Sequence, residues 1–369
     1  MSTQIAISPT HNQRAAFSER LHQASYLEYW EAEYRTNRPE TGVVPYLWKW
    51  QEMRELMLES EKLIGINEAE RRGLILANPG LGGKPYMTNT IFGDVQILSP
   101  GERAPAHRHT TSASRFFFEG NGAYTTVEGE KCTMGPGDLV INPSWAWHDH
   151  GNEGSAEVTY LNILDVPLVT GLGCTFYDHD YWKEGDSSKT IQSVKKNNNR
   201  SFDLYAAGGI MPKIMAKTGK PYSPQLVYRF DEVRAALERM KDYEPDPYDC
   251  RIIEYVNPET GDAVMPTMSF TMQSLAPGHK TKTHRHTSST VYCAVEGEGY
   301  TQVEDTCLSW KKHDVFVVPT WAWHNHVNTK SNAPAMLFAV TDAPAIRKLS
   351  LYREEGQEAN GDIVTLAHP

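Results

Sequence analysis

The amino-acid sequence predicts an all-β protein of two similar small barrels, with helices confined to the segments outside them. The first observation is an internal repeat. Ala106-His107-Arg108-His109-Thr110, Val127-Glu128-Gly129 and Pro143-Ser144-Trp145-Ala146-Trp147-His148-Asp149-His150 recur in the same order as Thr283-His284-Arg285-His286-Thr287, Val295-Glu296-Gly297 and Pro319-Thr320-Trp321-Ala322-Trp323-His324-Asn325-His326. Asn78-Pro79 is echoed by Asn257-Pro258, and Gln96 precedes His107 by the same interval as Gln273 precedes His284. A repeat this long is a duplicated domain, not a short-period array. The second observation is the texture of the repeats. Short β-branched and aromatic runs at 122–127, 138–143, 299–303 and 314–319 are bounded by Gly, Pro, Asn and Asp. Short strands separated by turn residues build sandwiches and barrels.

Taken in chain order, residues 17–34 are rich in Glu, Leu, Ala and aromatics and read as a helix, as do 52–62. The polar stretch 185–202, with Lys195-Lys196-Asn197-Asn198-Asn199, has no periodicity and reads as a loop whose lysines are solvated. Residues 231–241 give the clearest helix: Asp231 is the expected N-cap, and Val233, Ala236, Leu237 and Met240 form one apolar stripe. The expected organisation is a helical segment at 1–65, a first barrel at 66–184, a linker with a helix at 185–245 and a second barrel at 246–369.

Composition excludes several classes. Of 369 residues, 40% are hydrophobic and 22% charged, enough apolar surface for a packed core and against a disordered chain. With 36 basic and 46 acidic residues the net charge is -10, which disfavours nucleic acid or an anionic membrane as partner. Five scattered Cys do not form a disulfide framework and read as small core residues. No apolar run is long enough for a transmembrane helix, and Met1-Ser2-Thr3-Gln4 does not begin a signal peptide, so a cytoplasmic location is expected.

The histidines are the strongest chemical signal. Residues two apart on a strand share a face, so His107 and His109 point the same way, and His148 follows on a later strand that can lie across from them. Three neutral imidazoles with open positions left over suit catalytic Zn or Fe(II). A lone histidine would be read as an ordinary core or surface residue; a duplicated His-x-His with a later His is not.

On these residues both repeats resemble cupin domains, small jelly-roll barrels that carry a metal on inward-facing histidines. The usual cupin Glu ligand is absent, since Ala113 and Ser114 hold its place in the first copy and Thr290 and Val291 in the second. That departs from bicupin oxalate decarboxylases and germin-like proteins, and resembles the three-histidine gentisate 1,2-dioxygenase family, with its salicylate, 1-hydroxy-2-naphthoate and nitrosalicylate ring-cleaving members. Pro45-Tyr46-Leu47-Trp48-Lys49-Trp50, Arg71-Arg72 and Leu76-Ala77-Asn78-Pro79-Gly80-Leu81-Gly82-Gly83 continue the likeness, followed in order by Arg115, Glu119-Gly120 and Pro143. Gly80-Leu81-Gly82-Gly83 is not a phosphate loop, because no Gly-Lys-Ser/Thr follows. Lys49, between two tryptophans, reads as packing.

The resemblance implies an Fe(II)-dependent enzyme that uses O2 to open the bond between C1 and C2 of a 2-hydroxybenzoate, giving a ring-opened oxo-diacid. It implies His107, His109 and His148 as metal ligands, Arg115 as carboxylate clamp, Arg71 as a further substrate arginine, and Gln96 as the pocket glutamine. His150 is a candidate acid/base group; its counterpart His326 equally allows a structural role. Asp94, Phe92 and Asn162 fall where the family lines the distal pocket. The family commonly has a small residue, Trp or Tyr, and Asp at those respective positions. Asn can donate where Asp accepts, which keeps an acceptor such as a 5-nitro group in play beside gentisate. A homotetramer is the family's common assembly.

His284, His286 and His324 preserve the triad in the second copy, but Tyr292 stands at the position of Arg115, so chemistry is expected in the first copy and a second metal is left open. Two rivals remain: a 1-hydroxy-2-naphthoate dioxygenase, and a non-catalytic bicupin that binds a small carboxylate.

Overall fold

The computed structural model describes residues 11–31, 36–69, 72–179, 181, 193–211, 213 and 217–368. The chain divides into a unit at 1–40 and a larger one at 41–369. In the small unit the helix is His11–Gln23, shorter than the 17–34 expected. It stops because Ser25 takes a left-handed conformation (φ 60°), and the Tyr26 and Ser25 N–H groups turn back onto the Leu21 and His22 carbonyls. Phe17 then stacks on Trp30 at 6.5 Å.

The larger unit contains four six-stranded sheets. In the first copy Val227–Tyr228, Leu139–Asn142, Ala113–Glu119, Val158–Leu164, Phe92–Leu98 and Arg72–Ile75 form one sheet. Tyr177–Asp178, Arg103–His109, His148–Asn152, Ala123–Val127, Glu130–Thr133 and Asn197–Asn198 form the other. Among the described residues the second copy repeats the first sheet strand for strand and differs in the second at the edges, where Ile363–Ala367 is added and no counterpart of Asn197–Asn198 is present. The two sheets that carry Phe116 and Phe338 share one hydrophobic cluster, and those two rings stack at 4.0 Å. Neighbours along a strand point opposite ways. Phe116 therefore packs toward the second barrel while Arg115 faces into its own.

Each barrel closes with a strand that precedes the other one. Tyr46–Trp48 leads into the first barrel yet pairs with Val315–Val318 of the second. Val227–Tyr228 leads into the second yet pairs with Leu139 and Val140 of the first. Each exchanged strand runs through a cation and an aromatic residue into a helix, Trp50–Leu63 or Phe230–Arg239. Asp314 accepts the Trp50 N–H (2.7 Å) and the Lys49 ammonium (3.0 Å). Asp138 accepts the Phe230 N–H (2.9 Å) and the Arg229 guanidinium (2.6 Å). Asp231 is thus not the N-cap; Arg229 occupies that place, and a carboxylate from the barrel supplies the cap. Lys49 is an ion-pair partner as well as a packing residue.

A second exchange lies deeper. Asp165 accepts the Thr267 hydroxyl at 2.6 Å and Asp342 accepts the Thr90 hydroxyl at 2.5 Å, one bond in each direction between the copies. The stretch expected as a loop at 185–202 is partly ordered where it is described. Asn197–Asn198 pairs with Glu130 and Lys131, and Arg200–Tyr205 is helical. Lys195 lies over the Tyr124 ring at 3.8 Å instead of being merely solvated.

Asn78-Pro79-Gly80 has a structural role. The Asn78 side chain accepts from the Gly80 and Val44 N–H groups and donates to the Val44 carbonyl, binding the incoming segment. A Cβ on Gly80 would lie 2.2 Å from the Gly42 carbonyl oxygen, so only glycine fits. No helix among the described residues is long and apolar enough to cross a membrane.

Candidate metal centre and anion clamp

His107 and His109 lie on Arg103–His109, and His107 is the direct cross-strand partner of His148. Ring centroids are 4.2 Å apart for His107–His148, 4.8 Å for His109–His148 and 5.5 Å for His107–His109. Each Nδ1 meets a backbone carbonyl: Pro105 for His107 (2.9 Å), Thr111 for His109 (2.7 Å) and Ala146 for His148 (2.8 Å). An Nδ1–H held this way leaves Nε2 as the lone-pair end. His148 Nε2 is buried without a hydrogen-bond partner. Burial, with His107, His109 and Arg115 nearby, drives the His148 pKa well below the usual value, so its imidazole is neutral at physiological pH. Neutral nitrogens with oriented outer partners fit a divalent cation.

The nitrogens that lie within 4.8 Å of one another in the first copy are those of His107, His148 and His150, with His150 in the place expected for His109. His150 has a different neighbourhood. Its Nε2 accepts from an Arg115 terminal nitrogen at 2.5 Å, and its Nδ1 faces the Thr125 hydroxyl at 3.3 Å. Both ring nitrogens are engaged, whereas in the second copy the equivalents of His107, His109 and His148 form the compact group.

Arg108, between His107 and His109 on one strand, points outward. Its guanidinium sits between the Trp145 and Trp147 rings at 4.4 and 4.6 Å and bonds Asp178 at 2.8 Å. Arg285 does the same with Trp321 and Trp323, at 4.3 Å from each, and with Glu355. Trp145 and Trp321 both take positive φ (63° and 62°), an uncommon conformation for a bulky residue. The repeated His-Arg-His and Trp-Ala-Trp-His motifs therefore form a cation–aromatic buckle that joins the strands of the cluster. The pairing of an Arg with Trp-x-Trp was visible in the repeat.

Arg115 is 3% exposed. Besides His150, it donates to Asn142 Oδ1 at 2.7 Å. Asn162 is its cross-strand partner, and Asp94 is the partner of Asn162 on the next strand. The three lie in one row. Phe92 and Gln96 share the face of Asp94, and Phe92 is half-buried. Gln96 Oε1 accepts from the Tyr160 hydroxyl at 2.9 Å, which leaves the amide nitrogen as its donating end. Arg71 lies outside the described residues.

Asn162 corrects one expectation. Its Nδ2 donates to Asp94 Oδ1 at 3.1 Å, so one of its two N–H donors is already committed within the protein. Asn162 Oδ1 is buried with no partner. Only this amide orientation places an N–H against the carboxylate. Asn162 Oδ1 is the acceptor of this pair left open.

The second barrel keeps the triad and loses the clamp. His286 and His324 are tied at Nδ1 to the Ser288 and Ala322 carbonyls, but the Nδ1 of His284 faces Glu354 Oε1 at 3.3 Å. Burial opposes protonation of His284, and Glu354 reverses that, so its pKa is raised. Tyr292 packs against His326 at 4.8 Å, and the cavity of about 190 Å³ is lined by Asp249, Gln273, Tyr292 and Glu354 among others. Tyr160, Asn142, Thr125, Thr111 and Tyr177 had no separate sequence signal. Tyr177 stacks on His107 at 5.4 Å.

The Cupin domain family matches residues 94–164 and 271–341. The chain is similar to gentisate 1,2-dioxygenase 1 of Aquipseudomonas alcaligenes, at 38% identity over 93% of this chain and 96% of the relative. It is 34% identical to the 5-aminosalicylate 1,2-dioxygenase of a Comamonas species, over 94% of this chain and 91% of the relative. Among solved structures, the salicylate 1,2-dioxygenase of Pseudoaminobacter salicylatoxidans, as its adduct with gentisate, superposes with a TM-score of 0.86. The two chains are 30% identical, with 96% of this one and 97% of that one covered.

Proposed function

The chain belongs to the gentisate/salicylate 1,2-dioxygenase family of ring-cleaving bicupin enzymes, and on that premise we propose that it is an Fe(II) enzyme opening the C1–C2 bond of a 2-hydroxybenzoate whose 5-substituent donates a hydrogen bond. The observation that carries the reading is the buried Arg115 beside a cluster of imidazoles that includes the neutral His148. His107, His109 and His148 would hold the iron, because their Nδ1 atoms are tied to carbonyls while Arg115 occupies His150. When bound, Fe(II) supplies a centre at which O2 and the substrate oxygens meet and exchange electron density.

Arg115 binds the carboxylate with parallel N–H donors and brings positive charge to a buried anion. Gln96 donates its amide hydrogens to a substrate oxygen, its own oxygen being held by Tyr160. His150 holds Arg115; to act as an acid/base group it would first release that contact. Burial of the cluster keeps bulk water from the ring. A ring anchored at Arg115 lies along the row that continues to Asn162 and Asp94, with Phe92 at the rim. The open Asn162 Oδ1 suits a 5-hydroxyl or 5-amino group and opposes a 5-nitro group. 1-Hydroxy-2-naphthoate has only hydrogen at the corresponding ring position and would leave that acceptor unmatched. Arg71 is proposed as a further substrate arginine on the resemblance alone.

The test is O2 uptake by anaerobically iron-loaded protein with gentisate, 5-aminosalicylate, salicylate, 5-nitrosalicylate and 1-hydroxy-2-naphthoate. Uptake matched to substrate loss, with the first two fastest, is the expected result. A preference for the nitro compound would overturn the acceptor reading, and binding without O2 uptake would make the protein a carboxylate-binding bicupin. The second triad is compact, with Glu354 in place of a carbonyl behind His284, so a loaded chain should hold close to two metal ions. A count near one would leave those histidines structural. Assembly as a homotetramer is proposed from the resemblance, and light scattering would test it.

A further inference from the structure

We propose that Asn142 is a positioning residue that fixes the Arg115 guanidinium for the incoming carboxylate, a role that rests on the 2-hydroxybenzoate reading above. Asn142 is fully buried at 0% exposure. It is paired with Ala113, two residues before Arg115 on the neighbouring strand, so both side chains face into the barrel. Its Oδ1 accepts from one terminal nitrogen of Arg115 at 2.7 Å, while the other terminal nitrogen donates to His150 at 2.5 Å. Two acceptors on the two ends of the fork set the plane of the guanidinium. An arginine held in this way loses less conformational freedom when an anion arrives.

The buried Nδ2 of Asn142 has no hydrogen-bond partner. A residue kept only for packing would not leave a buried donor unmatched, since an apolar side chain fills the same space without that penalty. The duplication supplies an internal comparison. His150, Thr125 and Gln96 persist in the second barrel as His326, Thr301 and Gln273, and His326 keeps its bond to Thr301 at 2.9 Å. Arg115 and Asn142 change together, to Tyr292 and Val318. Asn142 therefore follows the arginine, not the barrel and not the histidines.

The experiment uses the full-length metal-loaded protein with Asn142→Val, which installs the second barrel's residue, and Asn142→Asp, which keeps the shape but neutralises the guanidinium. Salicylate binding is measured by calorimetry, and KM and kcat on the fastest 5-substituted substrate. Both variants should weaken salicylate binding and raise KM about 10- to 100-fold, with kcat changed much less and metal content unchanged. In an Arg115→Met background, Asn142→Val should add nothing, because its target is already gone. Unaltered binding in the folded variants, or losses that multiply in the double variant, would overturn the proposal. If the Val variant does not fold, the Asp variant carries the test. A wild-type protein that binds salicylate but turns nothing over refutes ring cleavage and still leaves the binding comparison decisive.

Discussion

Arg115 and Asp94 lie in one row of side chains, and the proposed function sets them opposite tasks: Arg115 would attract a carboxylate, and Asp94 with Asn162 would meet the far edge of the ring. Arg115→Met should raise KM on the order of 100-fold or more, because a buried charge-assisted pair is lost and no water replaces it. Steady-state kinetics with salicylate binding as the control would measure this. Asp94→Asn removes the carboxylate and frees the Asn162 amide to turn outward. The rate ratio of gentisate to 5-nitrosalicylate should then fall about 10-fold or more, and an unchanged ratio would show that this pair does not select the substituent. The histidines were legible in the sequence from their repeated spacing, whereas Arg115 and Gln96 stood out only through the family resemblance. The direction of the Asn162 amide was not legible, since it depends on a carboxylate more than sixty positions away in the chain, 68 residues upstream. Asn142 was equally hidden, because one asparagine on an apolar strand looks like any other.

The repeated strands were readable from their turn residues, and the helix at Trp50–Leu63 from its composition. What local sequence could not reveal was which barrel each preceding strand would join, because both choices satisfy the same alternation. The cap of Phe230–Arg239 was misassigned to Asp231 for the same reason: the capping carboxylate comes from Asp138, across the fold. The early end of His11–Gln23 depended on one left-handed serine, which composition does not announce. The buckle at Arg108 yields a prediction for its element. Arg108→Ala opens the space between Trp145 and Trp147 and loosens the strand that carries His107 and His109. Metal affinity should fall about 10- to 100-fold with the ligands intact, measured by competition with a chelator of known affinity. Equal affinity in the variant would limit the buckle to stability.

Across the whole molecule, the two barrels are joined by a shared apolar cluster and by reciprocal Asp–Thr bonds. Asp342 is 2% exposed, and burial lifts its pKa from 3.8 to about 6 despite bonds from Thr90 and Ser289. A carboxyl with a raised folded pKa contributes stability below its unfolded value and loses it as pH climbs through about 6. The loss at neutral pH is on the order of 2–3 kcal/mol. Asp342→Asn should therefore gain on the wild type between pH 4 and pH 7, as read from urea midpoints at each pH, and a pH-independent difference would contradict this. The exchanged arms bear on how the chain is made. Lys49 and its anchor Asp314 are 265 residues apart. At about 5–20 residues per second, a ribosome takes roughly 13–53 s to bring out the carboxylate after the lysine. Through that interval the strand Tyr46–Trp48 has no sheet to join, and the first barrel must wait for Val227–Tyr228 to close its own edge. The first barrel can therefore close once Val227–Tyr228 has emerged, whereas the second closes only after Val315–Val318, and a chain truncated between the barrels leaves the arm Tyr46–Trp48 without a dock.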